Sequence, residues 1–345
     1  MAGDHQRNGY AFEYALIKGF EKLAKNNGFE VEIEEDSSLK IKKENYEELK
    51  ISKNQNDLKL FKEIDSATSV ESLKIFEELE PILVHPEKFK NKMKIKSNSD
   101  ITGIDESVSD LDLIFGKNKV KIPISAKNNN DSIKHRRLPN TSNLGEDWAG
   151  VKWEDQEKVL QKIEETIKTI PKDEEGKYKG FPTWTFCGEK IKSEMYLFIM
   201  ECLVKYFESI ANNPPAVGSF FKKLTCNEGY YTIERNPVYG NGIIKCFNID
   251  SKLNKKFCAD SKHIKMPKIE IPKRIKCVSM DANSVSTCYI LFDNDAIISL
   301  RIHNKDRKAL VSSLAFDTKI HLNQAFILLN RNGEDDEHQK YMEKT

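Results

Sequence analysis

The chain is short of several things, and each shortage removes a class of protein. Its seven cysteines (187, 202, 226, 246, 258, 277 and 288) include no C-x-x-C pair and lie in apolar or mixed segments. That spacing excludes an ordinary zinc site and reads as reduced, structural thiols. No run approaches the roughly 18 apolar residues of a membrane span. The opening Met1-Ala2-Gly3-Asp4-His5-Gln6-Arg7-Asn8 carries no apolar stretch of secretory type, so the expectation is a cytoplasmic protein with no membrane association. No internal repeat is evident. Net charge is only +1, so no global positive field points to a polyanionic partner. What the chain does have is length: 345 residues, 39% hydrophobic, enough for one large globular domain or two modest ones.

The near-zero net charge hides an uneven distribution. Acidic residues crowd the stretch from Glu30 to Glu80. Between Lys252 and Lys276, by contrast, Lys255, Lys256, Lys262, Lys265, Lys268, Lys273 and Arg274 face only Asp260 and Glu270. A phosphate backbone responds to such a local surface rather than to the whole-chain sum, although a basic run also serves as a merely solvated face.

Hydrophobic periodicity divides the chain. Phe12, Ala15, Leu16, Phe20, Leu23 and Ala24 recur at helical spacing, with Glu13 near the start of that helix. Segment 28 to 64 is charged, with helical stretches such as Tyr46-Glu47-Glu48-Leu49, and reads as peripheral. Ser69 is placed to cap a helix running to Leu79 before Pro81 and Pro86. Helices follow over 153 to 170 and 195 to 210, the second closed by Asn212-Asn213-Pro214-Pro215. Trp148, Trp153 and Trp184 read as core aromatics. From Tyr230 to Ile302 short strand-like runs alternate with turns, among them Asp293-Asn294-Asp295. The polar end from Gly333 reads as a frayed tail.

Chemistry concentrates in two runs where the period is two: Asp110-Leu111-Asp112-Leu113-Ile114-Phe115 and Ile122-Pro123-Ile124-Ser125-Ala126-Lys127. Asp110 and Asp112 share one face of the first strand, and Ser125 and Lys127 share one face of the second. Pro123 argues for an edge position or a bulge near the start of its strand. If the strands pair, carboxylates suited to a hard divalent cation meet an ammonium able to orient water, the elements of metal-assisted phosphodiester hydrolysis. The same residues would also suit a solvated ion-pair edge.

Four blocks, in order, resemble the HaeIII-type family of type II restriction endonucleases, a branch of the PD-(D/E)xK nuclease superfamily. They are Gly9-Tyr10-Ala11-Phe12-Glu13-Tyr14-Ala15; Ser99-Asp100 with Gly103 and Ser109-Asp110-Leu111-Asp112-Leu113-Ile114; Ile124-Ser125-Ala126-Lys127-Asn128-Asn129-Asn130 with Lys134-His135-Arg136-Arg137-Leu138; and Leu300-Arg301-Ile302-His303-Asn304 with Ser313-Leu314-Ala315-Phe316-Asp317. The resemblance implies an α/β (α+β) fold, a nuclease core of mixed sheet flanked by helices, over 1 to 190 with an acidic helical insertion near 30 to 64. A helix and a β-rich DNA-recognition region would follow over 191 to 332, and the tail over 333 to 345. It further implies Mg²⁺ dependence, cleavage of duplex DNA at GGCC and a cognate DNA methyltransferase. A palindromic target would favour a two-fold dimer.

Under that resemblance Asp110 is the principal metal ligand, with Asp112 the close alternative, and Lys127 positions the attacking water. The superfamily's usual second acid falls at Ser125, so the metal must draw charge elsewhere, with Glu13, Asp112 or Asn128 able to supply a ligand. Glu13 equally suits a helix start favoured by the macrodipole. Asn128, Asn129, Asn130, Lys134, His135, Arg136, Arg137, Arg301, His303 and Asn304 are the candidate DNA contacts. Arginine is the side chain best shaped to read guanine in the major groove, and each of these arginines could equally touch only phosphate. Lys305 and Asp306 depart from the smaller residues the family tends to carry there. A catalytically silent DNA-binding module with the same fold, and a repair or RNA-directed nuclease, are the competing readings.

Overall fold

The helical spacing near the N-terminus forms α1 (Asp4–Asn26), whose Phe12, Leu16, Ile17 and Phe20 are fully buried. The computed structural model describes residues 4–98, 108–116, 120–128, 134–139, 141–172, 182–236, 241–249, 251–256, 261–305, 308–321 and 326–328. After α1 come β1 (Glu30–Glu34), α2 (Ser37–Ile51) and α3 (Gln55–Ala67). The expected helix from Ser69 is two short ones, α4 (Val70–Leu73) and α5 (Phe76–Leu79). The Ser69 hydroxyl caps the first, accepting from the Ser72 N–H at 3.2 Å. A glycine is required at Gly19, where an added Cβ would meet the Thr68 carbonyl oxygen and come within 2.6 Å of the Leu73 side chain.

Strands β2 (Lys92–Ser97), β3 (Leu111–Phe115) and β4 (Val120–Asn128) follow. The chain then contributes β5 (Lys134–Arg137), α6 (Leu144–Ala149), α7 (Gln156–Lys168), α8 (Glu189–Ile210) and α9 (Pro214–Thr225). Last come β6 (Tyr230–Asn236), β7 (Asn241–Phe247), β8 (Ile275–Asp281), β9 (Ser284–Phe292), β10 (Ile297–Asn304), β11 (Leu314–His321) and β12 (Phe326–Leu328).

Contacts divide the chain into two units. The first takes 1–131, 227–269 and 324–345, and the second takes 132–226 and 270–323. The expected division near residue 190 therefore falls inside the second unit. The physical reason is strand pairing across long sequence separations: β6 lies beside β4 in one sheet, whereas β5 pairs with β11 in the other. The 333–345 tail lies outside the described residues.

In the first unit the sheet order among the described residues is β1-β2-β3-β4-β6-β7-β12. It is mixed: β1/β2 and β4/β6 are parallel and the other pairs antiparallel. One face, carrying Met93, Ile95, Leu111, Leu113, Phe115, Ile122, Ile124, Tyr231 and Ile233, forms a single apolar core with residues of α1, α2, α3 and α5. The acidic segment is thus not peripheral, because Leu39, Tyr46, Leu49 and Ile64 belong to that core. Pro123 sits in a central strand rather than at an edge. Its pairing is with Asp112 of β3, and the parallel ladder to β6 begins one residue later, at Ile124, so the missing N–H interrupts nothing on that side.

The second unit holds an antiparallel sheet ordered β5-β11-β10-β9-β8. Leu300, Ile302, Phe292 and Phe316 are buried, as are Trp148 and Phe220, whose rings stack at 6.1 Å. Trp153 and Trp184 are buried too, as expected of core aromatics.

Candidate active site

Because Leu111, Leu113, Ile122 and Ile124 point into the helix-covered core, strand alternation turns Asp112, Ser125 and Lys127 to the opposite face of the sheet. There the hairpin closes on itself. Ser125, fully buried, donates its hydroxyl to Asp110 Oδ2 at 2.9 Å, and the Ala126 N–H donates to the same oxygen at 2.6 Å. Asp112 is 7% exposed, with Asn98 Nδ2 donating to its Oδ2 at 3.2 Å. Its Oδ1 is buried with no hydrogen-bond partner among the described residues. A buried carboxylate oxygen left without a donor is costly, and a cation or a water bound to one is the usual resolution. Lys127 is half-buried, on the face shared with Ser125.

These residues fit a hard cation that keeps most of its water. Among the described residues no group of three or more His, Cys, Asp or Glu side chains converges as a metal site. Mg²⁺ needs only one or two protein carboxylates, with water and phosphate oxygens completing its shell.

Glu13 lies on α1, in the layer on the helical face of the sheet, and its Oε2 is 2.7 Å from Lys42 Nζ. Asn128, expected as a ligand or DNA contact, accepts at Oδ1 from Arg235 Nε at 2.6 Å, and Arg235 also pairs with Glu63. Burial pulls that guanidinium below its ordinary value, and Glu63 opposes the shift. Lys42, Glu63 and Arg235 escaped the sequence reading. The first two sit in the segment whose charge reads as peripheral, with nothing in a local pattern to distinguish them from its other charges.

Two further polar residues join Ser125 and Lys127 through the parallel β4/β6 register. Thr232 lies beside Ser125 and Glu234 beside Lys127. Thr232 Oγ1 is buried without a hydrogen-bond partner among the described residues, and Glu234 holds Lys245 Nζ at 2.7 Å. Only non-local pairing reveals them.

The remaining described candidates belong to the second unit, where β5, β11 and β10 are neighbours. Arg301 of β10 stands opposite Asp317 of β11, which stands opposite His135 of β5, while Lys134 is opposite Thr318. Asp317, 5% exposed in its side chain, accepts from Arg301 Nη2 at 2.5 Å and lies 3.2 Å from His303 Nε2. Arg137 Nη1 donates to the Ser312 carbonyl at 2.7 Å, and Arg136 is half-buried. Asn304 Oδ1 accepts from the Tyr196 hydroxyl at 3.5 Å. Asn129 and Asn130 lie outside the described residues.

A family model described as HaeIII restriction endonuclease matches residues 9–322, most of the chain. The chain belongs to that family. It is accordingly a type II restriction endonuclease with DNA as its substrate, built on the mixed sheet and flanking helices described above. No curated protein and no solved structure matches it. No helix among the described residues is long and apolar enough to cross a membrane.

Proposed function

We propose that this endonuclease cleaves duplex DNA at GGCC, in the cytoplasm and with Mg²⁺, on the face of the sheet that carries Asp110, Asp112, Ser125 and Lys127. The observation that carries this reading is the buried, unbonded Oδ1 of Asp112 close in sequence and sheet to the clasped carboxylate of Asp110. The ion would be held by Asp110 and Asp112, while Glu13, on the other face of the sheet and paired with Lys42, would act on the site through that pair and not as a ligand. When bound it supplies positive charge at the scissile phosphate and acidifies water. Lys127, on the same face, would orient the attacking water and offset charge developing on the phosphate oxygens. Ser125 keeps Asp110 in one orientation, a role its neutral hydroxyl performs as a donor.

DNA contact is assigned to Lys134, His135, Arg136 and Arg137 and to Arg301, His303 and Asn304. The pairing of β5, β11 and β10 supports this by bringing the two groups to adjacent strands of one sheet. Asp317 pre-orients Arg301, whose side chain is still 57% exposed and so keeps donors for guanine or phosphate. A palindromic site suits a two-fold dimer, and a methyltransferase of the same specificity would protect host DNA.

Digesting a sequenced plasmid with Mg²⁺ and mapping the fragment ends tests the assignment. Ends at GGCC support it, and ends elsewhere remove the specificity. Lys127→Ala is expected to bind duplex and fail to cut it. A wild-type protein that binds duplex but fails to cut it with any divalent metal would instead be the catalytically silent module.

A further inference from the structure

Lys42 is an unusual residue to bury. Its side chain is 2% exposed, on a helix whose other lysines face solvent. An ammonium taken out of water is strongly destabilising unless every donor is met and a counter-charge stands close. Both conditions hold. Nζ lies 2.7 Å from Glu13 Oε2 and donates to Ser97 Oγ and to the Asn98 carbonyl, each at 2.8 Å. Three donors meet three acceptors, which saturates the group.

The bonds continue through the sheet. Ser97 and Asn98 are consecutive at the end of β2. Ser97 meets Lys42 on the helical face, so alternation sends the Asn98 side chain to the other. There Asn98 Nδ2 reaches Ser109 Oγ at 3.0 Å and Asp112 Oδ2 at 3.2 Å, and the Asn98 N–H donates to the Asp110 carbonyl at 2.9 Å. One residue therefore touches both candidate metal-binding aspartates while its own carbonyl is pinned by Lys42. With Asp112 Oδ2 occupied in this way, Oδ1 is the oxygen left without a donor.

We propose that Lys42 and Asn98 are positioning residues of the metal site. Lys42 fixes the end of β2, and Asn98 in turn holds one oxygen of Asp112 and presents the other to the cation. The inference rests on the nuclease reading of Asp110 and Asp112. It gives the acidic segment a function, because that segment supplies the cation that links Glu13 to the end of β2.

The test uses the full-length protein, with Mn²⁺ titrated and the free ion followed by electron paramagnetic resonance, beside metal-free thermal melts of the same samples. Asn98→Ala is expected to weaken Mn²⁺ binding about tenfold or more, as loss of a partner that orients a ligand does. Its melting temperature should stay near wild type, since Asn98 is only half-buried. The Mg²⁺ concentration for half-maximal plasmid cleavage should rise in step. Lys42→Met is expected to show the same loss of metal affinity, and should it fail to fold, Asn98→Ala decides alone. A purely structural staple would lower the melting temperature and leave metal affinity where it was. Asn98→Ala binding Mn²⁺ like a wild type that itself binds and cuts overturns the inference and leaves the nuclease site standing. A wild type that neither binds Mn²⁺ nor cuts overturns both.

Discussion

At the scale of single residues, Ser125 occupies the place where the resemblance expects a second acid, and the structure gives it the part of a donor. Its hydroxyl is fully buried and spent on Asp110, so it acts as a donor to a carboxylate and contributes no negative charge. Hydrogen bonds to charged groups contribute roughly 1.5–3 kcal/mol. Ser125→Ala removes this one while the Ala126 N–H remains, so the Asp110 carboxylate loses a donor and gains freedom to turn. Single-turnover cleavage at saturating Mg²⁺ should slow by about tenfold, given that each 1.4 kcal/mol is a factor of ten. Duplex binding without metal should stay unchanged. An unaltered rate would reduce Ser125 to a small residue filling space between strands.

At the scale of elements, the junction after α5 is held by a buried carboxyl. Glu80, 5% exposed, accepts at Oε1 from the Tyr231 hydroxyl at 2.8 Å and from the Asn254 N–H at 2.6 Å. Asn254 extends the staple, donating to the Leu79 and Ile264 carbonyls and accepting from the Met266 N–H. Burial pushes the Glu80 carboxyl up to about 7, against the lowering effect of those two donors. The folded protein therefore holds a proton here that the unfolded chain has released above its ordinary value near 4.5. Stability from this group is full below that value, falls as pH rises toward 7, and is flat beyond, a loss on the order of 3 kcal/mol. Urea unfolding from pH 5 to 8 should show this decline, and Glu80→Gln should flatten it. An equal slope in the variant would place the dependence elsewhere.

At the scale of the molecule, what the sequence disclosed follows the range over which its signals act. Helix α1 and the β3/β4 hairpin were legible because their periods of 3.6 and 2 are local, and Asp110, Asp112, Ser125 and Lys127 were legible with them. Lys42 was not, since a lysine among many charges reads as solvated until the fold buries it. Thr232 and Glu234 reach their places only through a parallel pairing to a strand about a hundred residues earlier, and the same long-range pairing interleaves the two units. The basic stretch was visible, and its partner is a matter of measurement. In the first unit Lys255, Lys256, Lys262, Lys265 and Lys268 are all exposed, on a segment that Asn254 and the Ile269–Asn248 backbone bond hold to the fold. A fixed row of exposed lysines is suited to phosphates, which it would neutralise regardless of sequence. Each phosphate contact adds about 0.9 to the slope of log affinity against log salt. Replacing Lys262, Lys265 and Lys268 by alanine should lower that slope by about 2 to 3, and weaken binding equally for duplexes with and without GGCC. A slope unmoved by all three replacements would return the stretch to a solvated face.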